Sequence, residues 1–274
     1  LARYDETGAL TAWLAEEIPT VGNGGVSEDL TSITWKIAPG MLWSDGSRVT
    51  SADVKFTAEY CMNPEGGCAQ ASKFDGVQSV EAIDDLTIKV TFDSPKPNPY
   101  GPFAGAQSPI IQAAQFADCL GAKAPECTDA NFMPIGTGPF VVTDFRTNDV
   151  IQMEANPNYR DPAKPAFATL TFKGGGDATA AGRAVMETGE YDYAWNLQVE
   201  DELLLRLEQG GKGRTNITPG GNIEFIQLNM ADPWTEIEGE RAHSSSKHPI
   251  LSDRAVREAI SLVVDRASVQ KFIY

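Results

Sequence analysis

Residues 31–60 read TSITWKIAPGMLWSDGSRVTSADVKFTAEY, and they decide how the first part of the chain folds. Ile33, Trp35 and Ile37 alternate with other residues at period two, so the stretch opens as a half-buried strand. PGMLWSDGS, dense in turn residues, ends it. Thr50 or Ser51 is then placed to cap a helix. Asp53 sits in the first turn, where the helix dipole favours an acid, and Val54, Ala58 and Cys61 follow at helical spacing.

Outward from this block, VQSVEAI (77–83) and LTIKVTF (86–92) predict two strands turning at Asp84–Asp85, and the Pro-rich DSPKPNPYGPF (93–103) predicts loop. FVVTDFR (140–146) and DVIQMEAN (149–156) predict a strand pair joined at Thr147-Asn148-Asp149, with loop again in NPNYRDPAKPA. FATLTFK (167–173), the turn GGGD, ATAAGRAVMETG (178–189) and YDYAWN (191–196) alternate strand, helix, strand, an order that implies one shared, covered sheet. VEDELLLRLEQGG (199–211) predicts a helix closed by Gly, and NIEFIQLNM (222–230) a strand. ADPWTEIEGERAHSSSKHP (231–249) is polar and is expected to be mobile. From Ser252 a helix presents Val256, Ile260, Val263 and Val264 on one side. The expected class is α/β, with at least two lobes.

The 274 residues carry 22 Lys and Arg against 38 Asp and Glu, a formal charge of −16, the wrong sign for holding a phosphate backbone. No nucleic-acid partner is expected. No apolar run approaches the ~20 residues that span a bilayer. The sequence opens without Met, a basic segment or an apolar leader and closes inside a helical pattern, so it is expected to be a piece of a longer chain. Four cysteines fall as two local pairs, Cys61 with Cys68 and Cys119 with Cys127, each enclosing a Pro- and Gly-bearing turn. That spacing suits two disulfides formed in an oxidising compartment; four buried free thiols are the alternative, and zinc is disfavoured because its sites prefer CxxC spacing. His243 and His248 both lie in AHSSSKHP, which reads as a solvated loop and not as a metal site.

Catalytic signals are missing. No GxSxG elbow is present, and the two loop histidines offer little to a Ser-His-Asp hydrolase. GGGDAT is followed by no GK[ST] and is not GxGxxG. No catalytic residue, metal or cofactor is assigned, and the remaining chemistry is that of binding. Gly174, Gly175 and Gly176 offer backbone that a ligand can approach at a helix start, or else a tight turn with Asp177 as the helix cap. Tyr191, Tyr193 and Trp195 share one face of their predicted strand and suit either core or pocket. Trp195, Asn196 and Gln198 stand at its end, where α/β crevices open and where amides beside an indole suit solute recognition. Glu224, a lone carboxylate among apolar neighbours, suits either an exposed strand face or a ligand's ammonium, hydroxyl or guanidinium.

TWKIAPGMLWSDGSRVTSADVKFTAEY (34–60) resembles the signature of the family 5 extracellular solute-binding proteins, the dipeptide, oligopeptide and nickel receptors of ABC importers. MPIGTGPFVVTDFRTNDVIQMEANPNYR (133–160) looks like that family's second block, and NIEFIQLNM with HPILSDRAVREAISLVVDRASVQKFIY (248–274) like its third, in the family's order. Lys36-Ile37-Ala38-Pro39 replaces the usual Leu-Arg, and Arg160 stands where Trp is common. The resemblance implies a periplasmic-binding-protein-like two-lobe fold with an extra subdomain, incomplete here for want of an N-terminal strand and the C-terminal half. Residues 1–130 would be the extra subdomain, 131–216 part of lobe I and 217–274 the start of lobe II. It further implies a monomeric, non-enzymatic receptor that closes on a small-molecule solute and meets the membrane permease subunits of an importer. A peptide is the expected solute; a sugar-phosphate or opine-type solute is the alternative, and a secreted hydrolase the rival. The implied location is periplasmic or otherwise extracytoplasmic, with any membrane anchor in an N-terminal segment outside this sequence.

Overall fold

The computed structural model describes residues 1–217 and 223–273, which fall into two compact units, Leu1–Gly175 and Gly176–Tyr274. The first unit begins with a hairpin of β1 (Ala2–Tyr4) and β2 (Leu10–Ala12). It continues with β3 (Ser32–Lys36), α1 (Ser51–Met62), β4 (Val77–Ala82) and β5 (Thr87–Phe92). The three later strands form an antiparallel sheet in the order β3-β5-β4, and α1 packs against β4 and β5. Ile33, Trp35 and Ile37 are buried as their alternation requires; Trp35 pairs with Ile88 across the ladder and Ile33 with Val90. Each such side chain withdrawn from water contributes about 1.5–3 kcal/mol, which makes this sheet face the centre of the core.

The start of α1 is closed from several directions. Asp53, only 6% exposed, accepts hydrogen bonds from the Thr50 amide (2.9 Å), the Thr50 hydroxyl (3.3 Å), Trp43 Nε1 (3.3 Å) and the Ala113 amide (2.9 Å). The Ser51 amide donates to the carbonyl of Asp85 at 2.8 Å, so the β4–β5 turn meets the same helix end. Thr57 receives the Ile111 amide at 3.0 Å, and Gln112 donates to Asp45 at 2.9 Å. The Ser47 hydroxyl and then Gln112 hold the Asp45 carboxyl below its ordinary range.

Both cysteine pairs are closed, Cys61 to Cys68 and Cys119 to Cys127, and no free cysteine exists among the described residues. After the short α2 (Thr128–Phe132), the strands β6 (Phe140–Arg146), β7 (Val150–Ala155) and β8 (Thr169–Lys173) make a second antiparallel sheet in the order β6-β7-β8. The predicted Thr147-Asn148-Asp149 turn joins the first two, with Asn148 in the left-handed region at φ 59°. The loop that follows ties back to the first sheet's neighbourhood. Asn158 donates to the Ser44 carbonyl at 3.0 Å, and Arg160 donates to the Trp13 carbonyl. The guanidinium carbons of Arg160 and Arg3 each lie 3.6 Å from the Trp13 ring centre, so the residue that departs from the family pattern is held by cation–π attraction.

The second unit holds α3 (Ala178–Met186), α4 (Asp201–Glu208), a small hairpin of β9 (Glu236–Ile237) and β10 (Glu240–Arg241), and then α5 (Arg254–Val263) and α6 (Arg266–Ile273). It corrects five expectations. YDYAWN forms no strand: Tyr193 and Trp195 are exposed, Asn196 turns left-handed at φ 55°, and no neighbouring strand pairs with the segment. The predicted strand–helix–strand unit is therefore absent, and the ladders among the described residues are antiparallel. Residues 223–230 of the predicted NIEFIQLNM strand likewise form no strand, with Ile223, Phe225 and Ile226 exposed and only the Met230 carbonyl taking a backbone amide, that of His248, among the described residues; Asn222 lies outside them. The stretch expected to be mobile contains β9–β10, and His248 in it is buried: its Nδ1 accepts the amides of Ile250 and Leu251, and its ring lies 5.3 Å from that of Trp234. The single C-terminal helix is two. Val264 is extended, Asp265 accepts the Ser268 amide at the second start, and Arg266 donates to the Ser261 carbonyl at the first end.

Asp53→Asn turns an acceptor oxygen into an NH₂ group facing N–H donors. It is expected to lower the unfolding free energy by about 2–4 kcal/mol in urea titration. A loss below about 0.5 kcal/mol would contradict the role given to this carboxylate.

Candidate functional site

In the second unit α3 and α4 pack through Met186, Leu204 and Leu207, with Val185, Leu197, Val199 and Leu203 around them. Asp177 caps α3 by accepting the Ala180 amide at 2.7 Å, and Gly182 lets the helices approach: a Cβ there would meet Leu207 at 3.4 Å. Between the helices, Leu197 and Val199 turn into this small core while Asn196 and Gln198 turn out. Period-two facing thus survives without a strand.

The residues turned outward line a concavity of about 890 Å³. Its wall includes Tyr191, Tyr193, Trp195, Asn196 and Gln198, and its rim is completed by the chain leaving α4. Trp195 is 79% exposed and Tyr193 76%, which removes the core reading of these rings. The outgoing chain is pinned in two places. Gly210 lies so close to Met186 that a Cβ would stand 2.7 Å from its carbonyl oxygen, and the Lys212 amide donates to that oxygen at 3.2 Å. Further on, the Thr215 amide donates to the Glu208 carboxylate. That bond, followed by one from the Thr215 hydroxyl, holds the Glu208 carboxyl below its ordinary 4.5.

The other residues expected to bind ligand are not among those that line this concavity. Gly174, Gly175 and Gly176 are exposed, with φ 77° at Gly175 and 80° at Gly176, so they make the tight turn, and Asp177 is engaged as the helix cap. Glu224 is exposed on the irregular 223–230 segment and lines neither this concavity nor the one described next. A second, more open concavity near Gln227, Asn229, Lys247 and Arg257 lacks aromatic lining, and Arg257 is already bonded to the Leu251 and Ser252 carbonyls. Lys212 and Arg214, which line the first concavity, were missed by sequence reasoning. The signal was present in GKGR, where cations alternate with small residues immediately after a helix.

Residues 9–274 match the family model for bacterial extracellular solute-binding proteins, family 5, middle region. The glutathione-binding protein GsiB of Pectobacterium atrosepticum is 23% identical over 236 residues, 86% of this chain and 44% of that protein. Among solved structures, the oligopeptide-binding protein AppA of Bacillus subtilis, in complex with a nonapeptide, is 25% identical with a TM-score of 0.60, covering 70% of this chain and 36% of that one. AgaA of A. tumefaciens R10, in complex with agropinic acid, is 24% identical with a TM-score of 0.57 over 67% of this chain and 35% of that one. The chain thus spans about 44% of the length of the first curated relatives it matches.

A carboxylate held below its ordinary pKa supplies its stabilisation above that value and loses it as pH falls through the folded-state value. Protection of the Thr215 amide from hydrogen exchange, corrected for intrinsic rate, is therefore expected to hold near neutrality and to fade as the pH falls below 4.5. In Glu208→Gln this acid transition should disappear. Identical pH profiles for the two proteins would contradict the tether.

Proposed function

The chain belongs to the bacterial extracellular solute-binding proteins, family 5, and on that premise we propose that its whole receptor captures a small peptide-like solute for an ABC importer without transforming it. One observation carries this reading. An exposed indole and phenol stand beside two outward-facing amides, Asn196 and Gln198, in a concavity large enough for a short peptide. Such a wall binds by stacking and hydrogen bonding. The names of GsiB and AppA, a glutathione binder and an oligopeptide binder, favour a peptide over other solutes.

In this reading residues 1–130 are the extra subdomain, 131–216 part of one lobe and 217–274 the start of the other. The receptor acts as a monomer. Closure of two lobes selects the liganded form because only that form contacts solute from both sides, and permease subunits then meet the closed receptor. An extracytoplasmic location agrees with the two closed disulfides. Asp177 already serves as a cap and Glu224 does not line this concavity, so the reading rests on Trp195, Asn196 and Gln198.

Thermal unfolding of the full-length receptor with alanyl-phenylalanine, glutathione and mannopinic acid tests it. At least one peptide should stabilise the protein, by about 2.7 kcal/mol at 100 times its Kd. Trp195→Ala should weaken that binding about tenfold or more. Stabilisation by no member of the panel, or hydrolysis of a peptide by the receptor, would contradict the proposal.

A further inference from the structure

The concavity that contains Trp195 also contains two cations without partners. The side chains of Lys212 and Arg214 make no ion pair and no hydrogen bond among the described residues, although the chain carries a net charge of −16. Elsewhere Lys173, Arg183 and Arg254 each find a carboxylate. Lys212 and Arg214 stand out by position: the two lie within three residues and line the concavity that also holds Trp195.

Their placement follows from the path of the chain. Gly213 packs on Met186 and Val185, where a Cβ would meet either side chain at 3.3 Å, and the half-buried Thr215 is bonded to Glu208 and lies 3.8 Å from the Met186 sulfur. These inward anchors alternate with Lys212 and Arg214, both exposed and both lining the concavity. Residues two apart on such a segment share a side at about 7 Å, close enough for both to reach one carboxylate. The stem of Lys212 lies along Gly189, where a Cβ would meet its Cγ and Cδ at 3.6 Å, so its aliphatic part is supported while its ammonium stays in water. Asp192 and Asp201 line the same concavity, make no ion pair among the described residues, and would repel a solute carrying several negative charges.

We infer that Lys212 and Arg214 are the carboxylate anchor of this concavity, and that its solute is an amphipathic zwitterion whose apolar part lies on Tyr193 and Trp195. The inference rests on the receptor reading above and names the chemistry of that same site. Arg214 supplies a fork that can bond both carboxylate oxygens, Lys212 a compact charge beside it, and Asp192 or Asp201 a counterpart for the solute's ammonium.

Calorimetric titration of the full-length receptor tests the assignment with alanyl-phenylalanine, glutathione and their carboxamides. Replacing the carboxylate by an amide should weaken binding to the unaltered receptor about 10- to 100-fold. Arg214→Gln should weaken binding of the acid by a similar factor while leaving the amide's affinity within about twofold. Lys212→Gln should do the same to a smaller extent, and Arg214→Lys should recover part of the loss. Because neither side chain has a partner among the described residues, the melting temperatures of the unliganded variants should match that of the parent. Equal affinity for acid and amide, or equal weakening of both by Arg214→Gln, overturns the anchor while the receptor reading stands. Failure of every acid to bind overturns both.

Discussion

The buried carboxylate of Asp53 ties the first unit together. A charge removed from water survives only if its lone pairs are filled, and the fillers come from separate stretches of chain: the turn bearing Trp43, the helix start at Thr50 and the segment at Ala113. None of them can move without leaving a charge or an N–H unsatisfied in the interior. The same helix end takes the turn between β4 and β5 through Ser51, so sheet, helix and loops form one constrained body. The hydrophobic face of Ile33, Trp35, Ile88 and Val90 supplies most of the driving force, and Asp53 decides the arrangement in which it is spent.

That constraint explains why the most recognisable part of the sequence serves the frame of the first unit, whereas the proposed binding wall belongs to the second. Trp43, Asp45, Gly46 and Asp53 build a turn and a helix start, work that is indifferent to solute. GsiB and AppA are named for different solutes, and they match this chain at 23% and 25% identity. Arg160 shows the same independence: it replaces a common Trp and holds its loop by stacking on Trp13.

The two three-stranded sheets and α1 of the first unit were legible because their signals are local, whereas the β1–β2 hairpin and α2 were not singled out. Ile33, Trp35 and Ile37 alternate and are buried; Asp53 stands in the first helical turn and closes it; the cysteines sit beside turns and are bonded. The second unit was less legible because a strand is a property of two segments. YDYAWN and residues 223–230 have strand composition but no partner strand among the described residues, and without one their alternation describes facing and nothing more. His248 was misread for a related reason. Its burial comes from Trp234 and from amides following it, while its neighbours Ser244, Ser245 and Ser246 suggest solvent. Of the site, Trp195, Asn196 and Gln198 could be singled out from sequence and do line one concavity. Lys212 and Arg214 left only the faint signal of GKGR, since their common side depends on Gly210, Gly213 and Thr215 fitting against Met186.

Packing, and not an extended sheet, therefore presents the proposed wall: two short helices share a small apolar core, and the connections leaving it turn aromatic, amide and cationic groups outward. Such a surface offers contacts to a solute and holds it by the sum of weak terms, with its ionic groups choosing the partner. Native mass spectrometry of the full-length receptor mixed with alanyl-phenylalanine and glutathione examines the central claim directly. The account predicts a one-to-one complex whose released solute has its original mass. A receptor that retains neither compound, or that returns cleaved or otherwise altered solute, contradicts it.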